Sequence, residues 1–68
     1  MIDILVNGKP IYTVAEASRI IFNAAAKKGY DPEEALAVLQ RAFQPNDDGE
    51  DARDMLFFYH DGFEVFVE

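Results

Sequence analysis

The sequence predicts an α+β domain: one four-stranded antiparallel sheet with two helices on one face, in the order strand-strand-helix-helix-strand-strand. Two observations frame that reading. Asn7-Gly8 and Asp61-Gly62 are both suited to the type I′ turn of a tight hairpin, and each has apolar-rich sequence on either side. Between them lie two helix starts with capping residues, at Thr13 and Asp31.

The first hairpin begins with Ile2-Asp3-Ile4-Leu5-Val6. A two-residue loop at Asn7-Gly8 would pair Val6 with Lys9 and Ile4 with Ile11, so that Ile2, Ile4, Val6 and Ile11 share the core face. Pro10 has no amide hydrogen to give a ladder, which makes the second strand a short edge strand.

Thr13-Val14-Ala15-Glu16 fits the capping box and starts the first helix. Apolar positions from Val14 to Ala26 cover most of its circumference, which predicts a largely buried helix. Lys27 and Lys28 suit the negative end of its dipole, and Gly29 suits a left-handed cap. The second helix starts at Asp31 with Pro32 in its first turn and runs to about Gln44. Ala35, Leu36, Val38, Leu39, Ala42 and Phe43 form its apolar stripe, and Pro45 stops it.

Residues 45–54 read as a polar, acidic loop. The run Met55–His60 and the run Phe63–Glu68 then read as a hairpin around Asp61-Gly62. In that register Leu56, Phe58, Phe63, Val65 and Val67 share one side, and Met55, Phe57, Tyr59, Glu64, Phe66 and Glu68 share the other. Both sides are apolar, and the helices can shelter just one. The open side would then carry an aromatic patch of Met55, Phe57, Tyr59 and Phe66, extended by Leu5 and Tyr12 and rimmed by Asp3, Glu64 and Glu68.

Composition bounds the rest. A chain of 68 residues gathers one core, so residues 1–68 read as a single domain. Such a core rarely supplies more than about 3–5 kcal/mol, and with no cysteine there is no disulfide to add to it. The lack of cysteine, of a basic leader and of a long apolar run predicts a cytoplasmic protein with no membrane partner. Net charge is −7 and unevenly placed: residues 1–30 carry +2, and residues 31–68 carry eleven acids against Arg41 and Arg53.

That distribution argues against direct nucleic-acid binding, which draws on Lys and Arg contacts to phosphate. A helix-turn-helix reading would aim Asp31, Glu33 and Glu34 at the DNA backbone. Aromatic platforms that stack single-stranded bases need basic surroundings, whereas the rim here is acidic. Catalysis has little material, with one Ser, one Thr, one His and no Cys, so no enzyme and no cofactor is expected. An EF-hand aligned on Gly49 would put Gln44 and Met55 at its first and last ligand positions, which rules out that register and leaves no metal site to expect.

The expectation is therefore a small acidic interaction protein that binds a basic protein surface, through Met55, Phe57, Tyr59, Phe66, Glu64, Glu68, Tyr12 and the acids Asp47, Asp48, Glu50 and Asp51. The profile extends to a phage-type inhibitor that competes for a nucleic-acid-handling host machine by mimicking its anionic ligand. The alternative is a structural homodimer in which two copies bury the same aromatic face.

Overall fold

The computed structural model describes residues 2–67 and places them in three strands and three helices. Strand β1 is Ile2–Val6, β2 is Lys9–Ile11 and β3 is Phe63–Val67; helix α1 is Val14–Lys28, α2 is Pro32–Ala42 and α3 is Asp47–Tyr59. The sheet is antiparallel throughout, in the order β2-β1-β3. The four-stranded, two-helix architecture expected from sequence is thus corrected: residues 47–59, read as an acidic loop and a strand, form one helix.

The first hairpin forms in the expected register, with Ile4 opposite Ile11 and Val6 opposite Lys9. Asn7 and Gly8 both take positive φ, 53° and 82°, as the type I′ turn demands. The predicted N-caps of α1 and α2 also form, that of α1 through the Thr13 half of its capping box. The Thr13 hydroxyl accepts the Glu16 amide at 3.2 Å, the Asp31 carboxylate accepts the Glu33 amide at 3.0 Å, and Gly29 closes α1 at φ 85°. α1 is less buried than its composition implies, because only the stripe Ala17, Ile21 and Ala25 is fully covered while Val14 and Phe22 stay exposed.

α3 follows from signals of the same kind. Asn46 caps it, accepting the Gly49 amide at 3.0 Å, and Asp47, Asp48 and Glu50 occupy the first turn, where the helix dipole favours anions. Gly49, Ala52, Leu56 and Tyr59 are its buried positions, a three-four-three spacing that belongs to a helix and not to a strand. Leu56 and Tyr59 therefore enter the core together, although a strand would have sent them to opposite sides.

One core joins the layers. Ile4, Phe63 and Val65 on the inner face of the sheet pack with Ala17, Ile21, Leu39, Ala42, Ala52 and Leu56 from the three helices. Asp3, Glu64 and Phe66 on the other face are exposed. β1 pairs with β3 from Ile2 opposite Val67 to Val6 opposite Phe63, which leaves β2 and β3 as the two edges.

Candidate interaction surface

α3 has three stripes set by its 3.6-residue period. The first, Gly49-Ala52-Leu56-Tyr59, is the core stripe described above. The second, Glu50, Arg53, Asp54 and Phe57, looks across a groove of about 310 Å³ at Glu64, Val65 and Phe66 of β3. The third brings Met55 and Phe58 to a recess of about 270 Å³ beside Tyr30, Asp31 and Glu34.

The groove between α3 and β3 is apolar at its base and acidic on its walls. Phe57 is 44% exposed and Phe66 is 51% exposed, while Val65 between them is 6% exposed. Glu50, Asp54 and Glu64 are exposed around them. Among the described residues Arg53 is the one base on the lining, and its Nη1 donates to the carbonyl oxygens of Ala42 at 3.0 Å and Gln44 at 2.9 Å. Its Nη1 thereby serves the C-terminal end of α2, where orphan carbonyls need partners.

Gly49 lets that junction close. A Cβ at this position would overlap the Gln44 carbonyl oxygen, so the first turn of α3 lies directly against the end of α2. Asp47, Asp48 and Asp51 extend the anionic surface outward along the exposed start of α3. Among the described residues no three acidic or imidazole groups converge in the manner of a metal site.

The structure divides the binding face expected from sequence. Phe57, Phe66, Glu64 and Glu50 meet in the groove. Met55 turns to the Tyr30 recess, and Tyr59 is withdrawn into the core at 6% exposure, its ring edge-on to Tyr30 at a centroid distance of 5.4 Å. The continuous sheet patch is corrected accordingly, since helical geometry separates Met55 and Tyr59 from Phe57 by more than a right angle around the helix. Tyr12 is 80% exposed just beyond β2 and is not part of the groove lining. Glu68 lies outside the described residues.

Asp54 is the groove acid that the strand reading passes over. It stands one helical turn from both Glu50 and Phe57, so the spacing of the three would align them on one face once the segment is read as a helix. Burial raises the Tyr59 phenol above the ordinary tyrosine value of 10.0, and the nearby charge of Glu34 pushes in the same direction.

Lys27 and Lys28 lie away from the groove. Lys27, Lys28 and His60 line a recess of about 530 Å³ at the C-terminal end of α1, with Asn7 from the hairpin turn. Lys28 Nζ is 3.5 Å from the Phe58 carbonyl oxygen, which holds the end of α1 near that of α3. No helix among the described residues is long and apolar enough to cross a membrane. Comparisons with protein-family models, with curated proteins and with solved structures find no match to this chain.

Proposed function

We propose that this chain is a non-catalytic binding protein whose α3–β3 face docks on a basic protein surface. The observation that carries the reading is the groove itself: two half-exposed phenylalanines, Phe57 and Phe66, walled by Glu50, Asp54 and Glu64. Exposed aromatic faces attract Arg and Lys by cation–π contact, and flanking carboxylates add charge pairing at the same spot. Three acids against one base, Arg53, leave that lining net negative.

Asp47, Asp48, Glu50, Asp51 and Asp54 give the partner a run of negative charge along one helix. A protein surface built to hold phosphates would accept such a run, and the consequence would be competition with nucleic acid. This extends the proposal to an inhibitor of a nucleic-acid-handling machine of the kind phages direct at host defence. Its support is the placement of charge on α3.

The test is affinity capture from the native host with wild-type protein and with Phe57→Ala. Recovery of a basic, nucleic-acid-handling protein, weakened by salt and by the substitution, is the expected result. Recovery of the chain alone, as a stable dimer, would overturn the reading in favour of the homodimeric module. Charge weighs against that module, because two copies joined at the groove would bring Glu50, Asp54 and Glu64 of each toward the other.

A further inference from the structure

The groove is lined by three consecutive residues of β3, Glu64, Val65 and Phe66. Neighbouring side chains of a strand point to opposite faces, so a cavity that touches three in succession runs along the strand's edge. β3 is an outer strand of the sheet, paired with β1 and with no second strand beside it among the described residues.

The phase of the ladder fixes which backbone groups face that opening. The two-residue turn makes Val6 and Lys9 a hydrogen-bonded pair, so Ile2, Ile4 and Val6 direct their backbone groups to β2. Asp3 and Leu5 then direct theirs to Phe66 and Glu64 of β3. Two observations agree with this phase: the Asn7 amide donates to the Gly62 carbonyl at 3.1 Å, and Pro10, without an amide hydrogen, falls at a position of β2 that faces outward. On β3 the outward residues are consequently Phe63, Val65 and Val67. The Phe63 amide is taken by the His60 carbonyl at 3.2 Å. The N–H and C=O of Val65, a residue 6% exposed, are by the same phase directed away from β1, on the side of the groove that Val65 lines.

The two edges of the sheet are also unequal. β2 is three residues long and carries Lys9 and Pro10, both of which discourage strand pairing. β3 is five residues long, Phe-Glu-Val-Phe-Val, with neither device.

We infer that the partner enters as an extended, Lys- and Arg-bearing segment that adds to the sheet as a fourth strand beside β3. This rests on the binding function proposed above and names its mode. The residue opposite Val65 would pack toward Phe57 and within reach of Glu50 and Asp54, while its two neighbours would lie on the outer face against Glu64 and Phe66. A basic strand matches that lining in charge, and a second copy of this chain, at −7, does not.

The experiment uses the full chain and an acetylated, amidated peptide, Lys-Val-Arg-Val-Lys-Val-Arg, followed by calorimetry and by amide NMR. N-methylation of the peptide's valines and N-methylation of its basic residues remove alternate sets of amide hydrogens while keeping every charge. The expected result is that one set weakens binding about tenfold or more while the other leaves it within about threefold, and that the Val65 amide gains exchange protection. Equal effects of the two sets, with binding still abolished by Glu50→Lys and Asp54→Lys, would overturn strand addition and leave the acidic docking face standing. Binding indifferent to those charge reversals would overturn both. A stable dimer through β3 that excludes the peptide would assign the edge to a second copy instead.

Discussion

Arg53 donates to the carbonyl oxygen of Gln44 across 2.9 Å, tying the third helix to the residue that follows the second helix's last turn. The same guanidinium reaches the Ala42 carbonyl at 3.0 Å, so one side chain from α3 satisfies two acceptors at the end of α2. Replacing it by Arg53→Met keeps an apolar stem but leaves both carbonyls to water. The expected cost is about 1–2 kcal/mol, near the lower end for bonds to a charged donor because the site is half-buried. Thermal unfolding would read this as a fall of roughly 5–15 °C.

Gly49→Ala should destabilise the protein, against the usual sign for a helix interior, where Ala is favoured over Gly by about 1 kcal/mol. The reason is the overlap of the new Cβ with the Gln44 carbonyl oxygen, which must be relieved by shifting the first turn of α3 against the segment that links it to α2. A loss of about 1–3 kcal/mol in urea unfolding is expected. A gain in stability would show that the link at Gln44 can shift without cost.

The raised pKa of Tyr59 fixes a pH dependence. Below the unfolded value of 10.0 both states hold the proton, and the phenol adds no pH dependence. Above it the unfolded chain releases the proton while the folded chain retains it, so stability falls as pH rises from that value through the folded one. Tyr59→Phe should flatten this alkaline fall in chemical denaturation relative to wild type. Tyr12→Phe, at a site 80% exposed, serves as the control for tyrosine content alone.

Phe57→Ala and Phe66→Ala should separate folding from binding. Each ring is about half exposed, so truncation should cost no more than about 1–2 kcal/mol of stability. At a binding anchor the same truncation costs about 2 kcal/mol or more in affinity, near thirtyfold, measured by titration with the basic peptide. A partner that binds both variants as tightly as wild type would place its contact away from the groove.

Much of the fold is legible where local chemistry decides structure. Asn7-Gly8 sets the first hairpin and its register, Thr13 and Gly29 bound α1, and Asp31-Pro32 opens α2. α3 escapes a reading of this kind because two opposing signals meet in it. The unbroken apolar run Met55–Tyr59 favours a strand by intrinsic preference, and Asp61-Gly62 resembles a hairpin turn. In the structure Gly62 takes φ 80° while Asp61 keeps a negative φ, and the turn joins a helix to a strand. Asn46 followed by Asp47, Asp48 and Glu50 is a helix start of the same type as Asp31-Pro32-Glu33-Glu34, and the apolar spacing 52, 56, 59 continues it.

The candidate site is half legible for a related reason. Phe57 and Phe66 are expected on one surface and do share one, though across a helix-to-strand groove instead of within a hairpin. Met55 and Tyr59 leave it as soon as the period changes from two to 3.6. The edge position of β3 cannot be read from local sequence at all, because it depends on β3 pairing with β1, at the far end of the chain.

Pro10 has a consequence for assembly. A fibre of sheets needs two open margins on every subunit, one to receive and one to offer, and here the β2 margin is closed by a proline and a lysine. If a partner adds at β3 as proposed, the molecule has a valence of one: its sheet would gain a single guest and then stop growing, which would let an apolar edge stay available without seeding endless polymer.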